Sequence, residues 1–267
     1  MVLVGTSRKG FSLVELSIVL VILGLLTGGI LAGQSLIRAA ELRAVTTEFQ
    51  RYTTASYSFR DKYFAMPGDW NNAQAVWGAQ GTNCSGTVTT LATTGTCNGD
   101  GDGNIGYPGA SMSAEAFQFW RQLALAGLIE GSYTGVAGSG SAIDSQPGTN
   151  IPRSKMNGAG WGVQYIGGSY GDTETYTAVY GNALIFGGTV SGSLPRGSIL
   201  KPEEAWNIDT KMDDGKPGTG KILAFEIANF ANANACTTSA STTDYAGTYA
   251  LSRTSLACSF YFPQAIR

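Results

Sequence analysis

Hydrophobic residues along this chain follow two regimes that change over at Gly33. Between residues 13 and 32 Leu, Ile and Val dominate and Glu15 is the sole charge, a length and composition that can cross a hydrocarbon core of about 30 Å as a helix. From Gln34 onward the pattern turns amphipathic, with Leu36, Ala40, Val45, Phe49 and Tyr52 at near-helical spacing and Glu41, Arg43, Glu48 and Arg51 supplying a polar face. Helix-forming residues persist to Lys62-Tyr63, and Pro67-Gly68 then stops the pattern. The spacing predicts one continuous helix to near Tyr63, about 80 Å long at about 1.5 Å per residue.

The remainder reads as a loop-rich domain. A stretch from Pro67 through Trp77-Gly78 opens a long loop rich in Gly, Thr and Asn. A second helix is expected over 113–129, with Ser113 as cap, Glu115 in the first turn, an apolar stripe of Phe117, Trp120, Leu123, Ala124 and Leu128, and Gly131 as its stop. Short apolar runs at 161–166, 177–180 and 183–186, separated by Gly, Ser and Asp, predict antiparallel strands. Residues 202–209 read as a short helix with Pro202 in its first turn, 211–217 as a turn, 221–227 as either strand or helix, and 258–263 as a strand. The fold expected is α+β: a long N-terminal helical spine, membrane-inserted in its first half, carrying a loop-rich antiparallel β head. No internal repeat is evident, and one domain suffices for the head.

The start of the apolar run holds the sharpest signal. Arg8-Lys9 precedes Gly10-Phe11, and Glu15 sits just inside the span, where an ionised side chain costs on the order of 3 kcal/mol. An ordinary secretory signal has an apolar core of only about 7–15 residues before its small-residue cleavage site. A plain single-pass anchor explains the length and the basic flank but not the early acid. A soluble core helix fits less well, since only Ser17 interrupts the apolar run from Leu16 to Leu26.

The stretch Gly10-Phe11-Ser12-Leu13-Val14-Glu15-Leu16-Ser17-Ile18-Val19-Leu20-Val21-Ile22-Leu23-Gly24 resembles the signal of type IV pilins and type II secretion pseudopilins. The resemblance implies a leader at 1–10, a helix at 11–64 and an extracytoplasmic head at 65–267. It implies cleavage by a prepilin peptidase after Gly10, N-methylation of Phe11, and a role for Glu15 in methylation and subunit docking. In a filament Glu15 would meet the amine of a neighbouring Phe11, since a buried charge left unpaired is far costlier than a paired one. The implied partners are other pilin or pseudopilin subunits, the peptidase and methylase, and an inner-membrane assembly platform. The implied location is the inner membrane through one span, then a pilus or pseudopilus. The family often kinks this helix at a proline, whereas this chain has Gly28, Gly29 and Gly33. The resemblance is specific from Arg8 to Gly24 and architectural beyond, and the large head suggests a minor or specialised subunit. A membrane-anchored periplasmic binding or carbohydrate-active domain that does not polymerise is the alternative.

Composition narrows the chemistry. Histidine is absent, which excludes Ser-His-Asp, Cys-His and histidine–zinc sites. A net charge of −2 offers no broad basic footprint for nucleic acid. Cys84, Cys97, Cys236 and Cys258 form an even set beyond the span, on the side that Arg8-Lys9 places away from the cytoplasm. Disulfides are expected there; sequence alone leaves three connectivities open, of which Cys84 with Cys97 and Cys236 with Cys258 closes two short loops. No C-x-x-C pair supports a metal reading.

One stretch resembles a calcium loop. Asn98, Asp100 and Asp102 occupy the first, third and fifth places, Gly103 the sixth, and Asn104 the seventh with its carbonyl. The twelfth place is Gly109 rather than Glu, leaving Glu115 as a distant substitute; the competing reading is a solvent-exposed turn. Asp209, Asp213 and Asp214 form a second acidic cluster that can bind a cation or flank a turn. Glu174, Glu203 and Glu204 are available as a carboxylate pair, but nothing marks them, and no enzyme is expected.

Overall fold

The computed structural model describes residues 10–80, 94–106, 115–138, 141, 143–167, 174–225, 235–239 and 241–266. The described elements run α1 (Leu13–Tyr63), α2 (Ala73–Trp77), α3 (Glu115–Leu125), β1 (Ala159–Ile166), β2 (Gly181–Gly188), α4 (Pro202–Met212), β3 (Leu223–Phe225) and β4 (Ser259–Ile266). The chain divides into two compact units, Met1–Glu41 and Leu42–Arg267.

In the first unit, α1 is long and apolar enough to cross a membrane. It passes through Gly28, Gly29 and Gly33 without interruption. Within the apolar run and just beyond it, three hydroxyls bond back to the helix: Ser17 donates to Val14 O, Thr27 to Leu23 O and Ser35 to Ala32 O. Such back-bonding lets a hydroxyl sit among apolar side chains without an unmet donor. An Arg38–Glu41 ion pair at 3.0 Å follows the apolar run.

The second unit is built on the later part of α1. Val45, Glu48, Tyr52, Ala55, Ser56 and Phe59 are buried at intervals that return to one helix face. That face meets Trp120 of α3, Trp161 of β1 and Phe262 of β4, with Phe49 stacked on Phe262 at 4.4 Å and Tyr52 edge-on to both tryptophans. The sheet is antiparallel in the order β1-β2-β4-β3. Side chains alternate across it: Trp161, Val163, Leu184, Phe186, Phe260 and Phe262 join the α1 cluster, whereas Ala183, Ile185, Leu223, Phe225 and Tyr261 join Tyr180 and Leu194 on the other side. Both faces are thus covered, which explains why the strands read as apolar runs with little polar alternation.

Several boundaries differ from expectation. The second helix ends at Leu125, because Gly127 adopts φ of 73°. The Gly127 and Leu128 amides then bond to Ala124 O and Leu123 O. This is a helix-terminating arrangement that favours glycine, so Gly127 rather than Gly131 is the stop. Nor is α3 amphipathic in its burial: Gln118, Arg121 and Gln122 are as buried as its apolar stripe, because they bond surrounding loops, as in the Gln118 Nε2 bond to Gly135 O and the Arg121 Nε bond to Gly95 O. Ser113 lies outside the described residues. Residues 177–180 are not a strand: the Thr177 amide bonds to Thr242 O and Tyr180 O accepts the Gln264 amide, isolated backbone bonds that do not form a ladder. Residues 223–225 resolve as strand.

Candidate functional site

At the N-terminus, Ser12 is the cap of α1. The Leu16 amide donates to Ser12 O at 3.1 Å, the Val14 amide to Ser12 Oγ at 3.2 Å, and the Ser12 amide to Glu15 Oε2 at 2.8 Å. Ser12-x-x-Glu15 is therefore a variant of the capping box, with the hydroxyl on the second helical amide instead of the third, satisfying two amide donors that a helix start otherwise leaves orphaned. Gly10 and Phe11 lie outside the helix, and Phe11 is 90% exposed. The three residues singled out by sequence, Gly10, Phe11 and Glu15, thus form a short non-helical lead-in and an acid turned back toward it.

The calcium-like loop is organised around two carboxylates from outside it. Asp69, buried, accepts the Gly101 amide at 2.7 Å and the Gly103 amide at 2.9 Å. Gly101 and Gly103 sit at φ of 79° and 88°, the backbone that turns both amides inward. Glu115, at the start of α3, accepts the Asp100 amide at 3.0 Å and the Gly106 amide at 2.6 Å. Asp100 and Asp102 accept the Asp102 and Asn104 amides in local turns, and Asn104 Nδ2 donates to Asp102 Oδ2. Asn98 Oδ1 instead accepts the Gln74 amide at 2.8 Å, at the start of α2.

Burial pushes the Glu115 carboxyl up to about 7, against the pull of the Gly106 and Asp100 amides and with the Asp100 charge adding to the rise. Burial likewise raises Asp69 to about 6, opposed by its two amide donors and reinforced by Asp100. Carboxylate oxygens of Asp69, Asp100 and Asp102 come within 4.8 Å of one another. Each oxygen has two acceptor directions, so an oxygen that takes an amide can still face a hard cation. Gly109 lies outside the described residues.

Asp209, Asp213 and Asp214 also converge to within 4.8 Å, and each holds a nearby loop. Asp209, fully buried, accepts the Tyr249 hydroxyl at 2.8 Å and the Gly215 amide at 3.2 Å. Asp213 takes the Lys221 and Ile222 amides, and Asp214 takes the Lys216 amide and the Thr219 hydroxyl. Burial pushes Asp209 up to about 7, opposed by its hydrogen bonds. Through these bonds the three acids hold a turn together.

Cys236 and Cys258 are disulfide-bonded across a separation of 22 residues. Cys97 is also in a disulfide; Cys84 lies outside the described residues. Two important residues were not singled out from the sequence. Asp69 sits well before the loop it organises, in a Pro-Gly-Asp turn whose only signal was its turn composition. Glu48 was assigned to a polar helix face, yet it is buried and accepts three hydrogen bonds.

No curated protein and no solved structure matches this chain. Residues 5–31 match the family model described as the prokaryotic N-terminal methylation motif. These residues hold Gly10, Phe11, the Ser12–Glu15 cap and most of the apolar run, so the chain carries the prepilin-type signal of type IV pilins and pseudopilins.

Proposed function

We propose that this chain is a structural subunit of a type IV pilus or type II secretion-like filament, stored in the membrane through α1 and assembled by packing that helix among its neighbours. The carrying observation is the methylation motif running directly into an uninterrupted apolar helix. Cleavage after Gly10 would leave Phe11 as the new N-terminus, ahead of Glu15. A large second unit supports a minor or specialised subunit, and the Cys236–Cys258 disulfide supports an extracytoplasmic head. The role is mechanical, with the head supplying surface and the helix supplying cohesion.

The decisive experiment is intact-mass analysis of the protein produced together with a prepilin peptidase, followed by assay of its entry into sheared filaments. A mature chain beginning at methylated Phe11 and recovered in filaments is expected. A chain retaining Arg8-Lys9, or a processed chain that never leaves the membrane fraction, would favour a non-polymerising anchored domain.

We also propose that Asp69, Asp100 and Asp102 take a calcium ion that steadies the head. What supports this is the convergence of three carboxylates around a glycine-rich turn. Asp69 joins Asp100 and Asp102 of the set expected from the sequence, Asn98, Asp100, Asp102 and Asn104.

A further inference from the structure

We propose that Ser12 is a positioning residue for processing: its capping box with Glu15 starts α1 at Leu13 and thereby keeps the peptide bond between Gly10 and Phe11 outside the helix, where a peptidase can bind it. This rests on the reading that the chain is cut there.

A peptide bond wound into a helix has its carbonyl committed to an amide four residues on and its backbone curled, whereas proteolytic sites favour exposed, unwound segments. The run after Ser12 is continuously helical, and helix propagates cooperatively once formed, so without a stop it can extend backward across Phe11 toward Gly10. The cap sets the stop. Helical extension by one turn would break both the Val14 amide bond to Ser12 Oγ and the Ser12 amide bond to Glu15 Oε2. The observed start agrees: Gly10 and Phe11 are non-helical, Phe11 is exposed, and a Cβ built on Gly10 would meet nothing within 4 Å. Glu15 therefore has a role inside its own chain, distinct from any contact with a neighbouring subunit.

The test is the rate at which full-length precursor is converted to mature protein by a co-produced prepilin peptidase, followed by pulse-chase and intact mass. Ser12→Ala removes the cap and should slow conversion roughly two- to thirtyfold, the range expected from loss of one N-cap. Ser12→Asp, which caps at least as well, should restore the wild-type rate, although it adds a charge. A second measurement, backbone carbon shifts of residues 10–13 in the full chain in detergent micelles, should show helical character moving into Phe11 for Ser12→Ala only. Equal cleavage of wild type and Ser12→Ala, or failure of Ser12→Asp to rescue, overturns the proposal while leaving processing intact. A wild-type chain that is not cut between Gly10 and Phe11 removes the processing reading and the proposal together.

Discussion

Trp161 Nε1 donates a hydrogen bond to Glu48 Oε2 at 2.8 Å, tying an acid on α1 to the first strand of the sheet. The same oxygen accepts the Ser154 hydroxyl at 2.6 Å, and Oε1 accepts the Lys155 amide at 2.8 Å. Three donors around one buried carboxylate join the helix to the strand and the segment before it. Glu48→Ala strands all three and is expected to destabilise this unit by about 3 kcal/mol, since a buried unmet donor costs about 1–3 kcal/mol. Glu48→Gln should cost less, because one amide oxygen still accepts. Thermal unfolding of the full chain in micelles, followed by near-ultraviolet circular dichroism, measures the order of the two variants.

Acid pH should stabilise the head relative to neutral pH. Asp69, Glu115 and Asp209 have carboxyls raised to about 6, 7 and 7 by burial, whereas unfolded acids titrate near about 4. Between those values the folded chain holds more protons than the unfolded one, so stability is fullest at the acid end and is lost as pH rises through the folded values. The melting temperature is expected to be higher at pH 5 than at pH 8, and Asp209→Asn should flatten that slope. A melting temperature that rises from pH 5 to pH 8 would show that other groups dominate.

Calcium should oppose the same loss. With Asp69, Asp100 and Asp102 ionised at pH 8, an ion between them relieves mutual repulsion and, binding the folded state alone, raises stability. The melting temperature should rise on adding calcium at pH 8, rise less at pH 5, and fail to respond in Asp100→Ala with Asp102→Ala. Magnesium should substitute poorly, because it demands closer octahedral ligands. Calorimetry showing no calcium response at pH 8 would leave the loop as a turn held by Asp69 and Glu115.

The Cys236–Cys258 bond closes a loop between residues 22 positions apart. By the chain-entropy model such a loop contributes about 3 kcal/mol. Cys236→Ala with Cys258→Ala should lower the melting temperature accordingly without altering insertion of α1. Non-reducing peptide mapping of the wild type should recover the joined peptides.

On the filament reading, Glu15→Ala makes the span more apolar and should leave membrane insertion unchanged. It should nevertheless deplete the subunit from filaments, because the acid that would meet a neighbouring amine is gone. Quantifying the variant in sheared filaments against the membrane fraction checks this. Entry at the wild-type level would restrict Glu15 to capping its own helix through the Ser12 amide.

Local chemistry alone determined much of this protein. The long α1, its change of character near Gly33 and the short helix beginning at Pro202 all follow from spacing and residue type within a few turns of chain. Such patterns are legible because helix periodicity and membrane length are properties of adjacent residues. Only the tertiary structure decided the rest. Glu48 reads as a surface acid until Ser154, Lys155 and Trp161, more than a hundred positions away, close around it. Asp69 enters the acidic loop from 32 positions before Gly101, and residues 177–180 have strand composition but make isolated backbone bonds, the Thr177 amide to Thr242 O and the Gln264 amide to Tyr180 O, instead of a ladder. A hydrogen-bond acceptor becomes structural only when its donors arrive, and donors so distant in sequence are brought there by the packing of the sheet and α3 on the α1 face.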